Sequence, residues 1–129
     1  MRAAGRFNVL CVDDEGGVRE LVRRCLVDNR LSLTIAASGE EALADTPDPD
    51  SVDLLITDEV MPGIEGHELA RRLRQANPNL KVLYLTGHAD RLFDAKSQMW
   101  NSEAYLDKPF SPEGLREAVA LLVVGRLSL

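Results

Sequence analysis

Five side chains stand where chemistry could happen: Asp13, Asp14, Asp58, Thr86 and Lys108. Each comes at the end of an apolar run. Asp13-Asp14-Glu15 follows Phe7–Val12. Asp58 follows the β-branched stretch from Val52 to Thr57. Thr86-Gly87 follows Leu80–Leu85, and Asp107-Lys108-Pro109-Phe110 follows Glu103–Leu106. If Asp13, Asp14 and Asp58 share a cleft, they cannot all stay ionised without a compensating cation. The ligands on offer are oxygens, with no His or Cys nearby in sequence. That set suits Mg2+, which takes one or two carboxylates together with waters and a phosphate. Thr86 supplies a hydroxyl, Gly87 leaves room beside it, and Lys108 supplies a point charge for an anion. A divalent cation, a nucleophilic carboxylate, a hydroxyl donor and a lysine are the parts needed for phosphoryl transfer onto Asp58. Plainer roles exist for each. Asp58 could simply open a loop, Asp13 or Asp14 could cap the next helix, Thr86 could cap another, and Lys108 could form a surface ion pair.

The convergence depends on which strands are neighbours. The runs Phe7–Val12, Leu31–Ala36, Val52–Thr57, Leu80–Leu85 and Glu103–Leu106 read as buried strands, because polar residues rarely alternate within them. Helical spacing fills the intervals. In Gly17–Asp28 the apolar positions are Val18, Leu21, Val22, Cys25 and Leu26. Ser38 opens a short helix with Glu41 three residues on, a capping box. Glu65–Ala76 turns Leu69, Ala70 and Leu73 inward and Arg71, Arg72 and Arg74 outward. Gly66 is read there as a flexible point. Arg91–Trp100 is a less regular helix. Ser111 caps the last one, with Pro112 in its first turn and a stripe of Leu115, Ala118, Val119, Leu122 and Val123. Strand and helix alternate five times. The expected fold is α/β, a flavodoxin-like, doubly wound (βα)5 domain with a five-stranded parallel sheet of order 2-1-3-4-5. Its switch point lies between strands 1 and 3, beyond whose carboxyl ends ligands bind. Asp13, Asp14 and Asp58 meet there.

At 129 residues the chain supports one domain with a real core. A net charge of −6 argues against direct nucleic acid binding by charge attraction. No apolar run approaches a membrane span, and Met1–Gly5 lacks the apolar continuation of a secretory signal. Cys11 and Cys25 fall on apolar faces and read as reduced core thiols, so a cytoplasmic location is expected.

Four motifs, in order, carry a resemblance. They are Val12-Asp13-Asp14-Glu15; Asp58-x-x-Met61-Pro62 with Gly66; Leu85-Thr86-Gly87; and Tyr105-x-x-Lys108-Pro109-Phe110. From Phe7 to about Val124 the chain resembles the receiver domains of response regulators in two-component signalling. The organisation expected is an N-terminal extension over 1–6, a receiver domain over 7–125 and a tail over 126–129. The resemblance implies that Asp58 accepts a phosphoryl group from a histidine kinase or histidine phosphotransfer protein. It implies that Asp14 and Asp58 bind Mg2+ directly, that Asp13 acts mainly through water and that the Val60 carbonyl contributes. Thr86 and Lys108 would hold the phosphoryl oxygens, Tyr105 would turn inward on activation, and the Lys108–Pro109 bond would be cis. The output surface would be the helix 4–strand 5–helix 5 face, where Met99, Trp100, Tyr105, Leu121 and Val124 suggest an apolar patch for a second copy or an effector. Such a domain is a phosphorylated signalling module rather than an enzyme with an external turnover. Asn101-Ser102 replaces the Gly-Ala common before the lysine. Val60 and His88 fill the variable positions flanking the phosphoryl group.

Other classes fit less well. A haloacid-dehalogenase-like phosphatase needs Asp-x-Asp after the first strand, where this chain has Asp13-Asp14-Glu15. A flavodoxin-like redox module needs a Ser/Thr/Gly-rich phosphate loop there. A degenerate receiver used as a scaffold usually loses one of the five key residues, and all five are present.

Overall fold

The computed structural model describes residues 6–96 and 102–123. Five strands run parallel: β1 (Phe7–Val12), β2 (Leu31–Ala36), β3 (Leu54–Thr57), β4 (Lys81–Thr86) and β5 (Glu103–Asp107). Their order across the sheet is β2-β1-β3-β4-β5, as the alternation of elements predicts. Five helices intervene: α1 (Gly16–Cys25), α2 (Gly39–Asp45), α3 (Gly66–Ala76), α4 (Ala89–Ala95) and α5 (Pro112–Val123).

Successive side chains of a strand point to opposite faces, and the core divides accordingly. Leu10, Val12, Leu55, Val82 and Tyr84 pack on one face with Ala42, Leu69, Leu73 and Leu92, which come from α2, α3 and α4. Val9, Cys11, Leu54, Ile56, Leu83 and Leu85 pack on the other with Val22, Cys25, Leu115 and Val119 from α1 and α5. Cys11 and Cys25 are both buried free thiols. Among the described residues no helix is long and apolar enough to cross a membrane.

Several boundaries differ from the sequence expectation for local reasons. α1 stops at Cys25 rather than Asp28. The Asp28 carboxylate takes the Arg30 amide at 2.8 Å and pairs with its guanidinium, which closes a turn before β2. β3 starts at Leu54 because the Asp53 carboxylate accepts the Asn8 amide at 2.8 Å in place of a ladder bond. α4 starts two residues earlier than expected, at Ala89, and its helical turn ends at Ala95. Met99 and Trp100 lie outside the described residues, as does Val124. At α2 the Ser38 hydroxyl accepts the Glu41 amide as expected, while Glu41 reaches back to the Ala37 amide rather than to that of Ser38.

Arg74 departs most from the sequence expectation. Helical spacing turns it outward, yet its side chain is only 10% exposed and its guanidinium lies 2.6 Å from the fully shielded Glu103 carboxylate. Lys96, just past α4, reaches the same carboxylate at 3.1 Å. The start of β5 is thus held by cations from two other elements. The long Arg stem explains the difference, since an arginine at the rim of a core can bury its methylenes and still find a charge.

Candidate functional site at the ends of β1, β3, β4 and β5

The parallel pairing of β1 with β3 sets Val12 opposite Thr57, so Asp13 and Asp58 leave the sheet side by side. The ladder extends one step beyond: the Asp58 amide donates to the Val12 carbonyl, and the Asp13 amide to that of Ala36. Asp13 and Asp58 are both buried, while Asp14 is exposed at the rim. One carboxylate oxygen from each lies within 4.8 Å of the others. That is the convergence expected of Asp13, Asp14 and Asp58.

Lys108 occupies the middle of this group. Its ammonium lies 2.9 Å from Asp13, 3.0 Å from Glu15 and 3.2 Å from Asp58. β5 lies beside β4, and the Lys108 amide donates to the Thr86 carbonyl, which fixes where the side chain starts. The Lys108–Pro109 bond is cis, as expected. Burial works to lower the Lys108 pKa, but bonds to Asp13 and Glu15 and the charges of Asp13 and Asp58 hold it above the usual lysine range. Burial pushes the Asp13 carboxyl up, against the pull of the Glu15 amide and Lys108. The sequence assigns Glu15 no contact with Lys108, and the structure makes it a third partner. Its place in the acidic run Asp13-Asp14-Glu15 is the available signal.

Neither Asp13 nor Asp14 caps α1. Glu15 is the N-cap residue and makes no side-chain cap bond, while Asp13 accepts the Glu15 amide at 2.9 Å. Thr86 is fully buried, and its hydroxyl accepts the His88 amide at 2.9 Å. A Cβ on Gly87 would meet nothing closer than the Lys108 side chain at 4.0 Å, so the space beside Thr86 is open. The Val60 amide donates to Asp58 at 3.3 Å. Asp14, Glu15, Asp58, Val60, Gly87, His88 and Lys108 line a cleft of about 280 Å³. Val60 and His88, the residues expected to flank the phosphoryl position, both line this cleft. Tyr105 stands apart from the cleft, 40% exposed, its ring edge-on to Phe93 at 5.3 Å.

The loop after Asp58 is shaped by glycines. Gly63 has φ +79, a left-handed conformation that side chains rarely adopt. Gly66 serves close approach rather than flexibility: a Cβ there would collide with the Asp58 carbonyl oxygen.

Together these features define a doubly wound α/β domain with an acid cluster and a lysine at its topological switch point. A family model for the response regulator receiver domain matches residues 9–120, and the chain belongs to that family. It is 37% identical over 113 residues to the DNA-binding transcriptional regulator NtrC of Klebsiella pneumoniae, covering 86% of this chain and 23% of NtrC. It is 37% identical over 109 residues to the response regulator MprA of Mycobacterium avium, covering 84% of this chain and 47% of MprA. The chain therefore spans less than half the length of both. A response regulator receiver protein from Sinorhizobium medicae superposes with a TM-score of 0.81 at 26% identity, covering 96% of this chain and 99% of that one.

Proposed function

We propose that this domain accepts a phosphoryl group on Asp58 from the phosphohistidine of a histidine kinase or phosphotransfer protein. The observation that carries this reading is the convergence of Asp13, Asp14, Asp58 and Lys108 on one cleft. An Asp58 carboxylate oxygen attacks phosphorus. The O–P bond forms as the P–N bond breaks, and the donor imidazole leaves with its electron pair. Lys108 moves its charge from the carboxylates to the incoming phosphoryl oxygens, with Thr86 donating its hydroxyl proton to another in a hydrogen bond. Gly87 leaves them room. The three clustered carboxylates fit a hard divalent cation, because they are all-oxygen donors with more negative charge than one lysine offsets. Asp14, Asp58 and the Val60 carbonyl would hold Mg2+, with Asp13 acting through water. Bound there, Mg2+ supplies charge neutralisation for the transferring group. The resulting aspartyl phosphate draws Thr86 toward it and Tyr105 inward, altering the face formed by α4, β5 and α5.

Incubation with acetyl phosphate and magnesium should add one phosphate, read by intact mass. Asp58→Asn should accept none, and Asp14→Asn should slow the reaction by weakening magnesium binding. Label retained in Asp58→Asn would remove Asp58 from the role.

A further inference from the structure

The residue after Asp58 opens onto a different part of the molecule. Glu59 is 2% exposed and takes no part in lining the Asp58 cleft. With Glu65, Arg91, Asp94 and Ala95 it lines a second cleft, of about 300 Å³, between the start of α3 and α4. One Glu59 oxygen accepts the His67 amide at 2.8 Å, and the other lies 2.5 Å from the His67 Nδ1. An imidazole nitrogen and a carboxylate oxygen at that separation are hydrogen-bonded. Among the described residues His67 is the one hydrogen-bonding or ionic partner that the structure gives the Glu59 side chain. Donor atoms of Glu59, Glu65 and His67 all lie within 4.8 Å of one another.

Helix capping accounts for part of this arrangement. Glu59 satisfies an amide in the first turn of α3, as a carboxylate at a helix start should. Capping does not account for the imidazole turned onto the second oxygen, nor for Glu65 converging on both. The backbone fixes the three residues relative to each other, because the Gly66 amide bonds the Glu59 carbonyl at 3.0 Å. We infer that Glu59, Glu65 and His67 form a second cation site, suited to a borderline transition ion such as Zn2+ and distinct from the Asp13–Asp14–Asp58 cluster. Two carboxylates and an imidazole match Zn2+ or Co2+, whereas magnesium takes oxygen donors and keeps its waters. The ion takes the place of the direct contact between His67 and Glu59. Asp94, across the cleft, or a water completes four-fold coordination. Arg91 is exposed and free to turn to solvent.

The test uses the chain carrying Asp13→Asn, Asp14→Asn and Asp58→Asn together, which removes the acid cluster as a competing site. Calorimetric titration with Zn2+ should show one ion per chain, undisturbed by millimolar magnesium. Co2+ should give the visible absorption of a tetrahedral centre. In that background His67→Ala and Glu65→Gln should each weaken Zn2+ binding about tenfold or more. Glu65 is half-buried and caps α3 through no side-chain bond, so Glu65→Gln still tests the site if His67→Ala loosens the helix. Failure of the triple-Asn chain to bind Zn2+, or binding unchanged by Glu65→Gln, overturns the site and leaves the role proposed for Asp58 untouched.

Discussion

Asp13 sits between opposing demands. Burial pushes its carboxyl above the ordinary 3.8, while Lys108 and the Glu15 amide pull the other way and do not prevail. The folded chain thus holds the Asp13 proton more tightly than the unfolded chain does. The stability linked to this group is present at low pH and is lost as pH rises from the unfolded value through the folded one. Asp13→Asn keeps the oxygen that accepts the Glu15 amide and removes the charge. In EDTA it should raise the Tm at neutral pH, and its advantage should shrink as pH falls toward about 4 and the wild type takes up its proton. Melts across that range would decide it, since a variant less stable at neutral pH means the Lys108 pair outweighs burial. The five site residues are legible in the sequence because each ends an apolar run, and a parallel sheet aligns such ends. Glu15 on Lys108 and the Glu59–His67 pair are not. Those contacts depend on the path of a loop and on side-chain rotation, neither of which leaves a periodic trace.

α3 begins where it does because Gly66 lets the helix start press against the strand-end loop. Gly66→Ala would drive a methyl group into the Asp58 carbonyl. Since backbone must give way, a loss of about 1–3 kcal/mol is expected by urea unfolding, together with slower phosphorylation as the Asp58 loop shifts. Gly17→Ala is the matched control, because a Cβ there meets nothing within 4 Å. It should gain about 0.5–1 kcal/mol from the lower backbone entropy of the unfolded chain. Equal effects in the two variants would assign Gly66 a role in flexibility after all. Strand order and the alternating strands and helices follow from apolar spacing. What spacing alone does not fix are the ends, set here by Asp28, Asp53 and other side chains that take backbone amides for themselves.

Across the whole molecule, the face formed by α4, β5 and α5 leaves Phe93, Tyr105 and Leu121 each at least 39% exposed. On the proposed function this face changes with phosphorylation, and a partner shifts that equilibrium only by its differential affinity. Self-association or partner capture should strengthen in beryllofluoride and magnesium, and weaken in Leu121→Glu and Phe93→Glu. Sedimentation showing both variants unchanged in the activated form would move the output surface elsewhere. The largely shielded trio of Arg74, Lys96 and Glu103 has a consequence for recombining this domain with its relatives. Arg74 belongs to α3, whereas Lys96 and Glu103 fall after it, so a crossover between α3 and β4 splits the trio between two parents. A donor segment without an acid at position 103 would deprive Arg74 of a carboxylate in a shielded setting, at a cost of about 3–5 kcal/mol. Chimeras joined there should fold poorly unless the donor carries that acid, while crossovers before α3 inherit the three charges as one block.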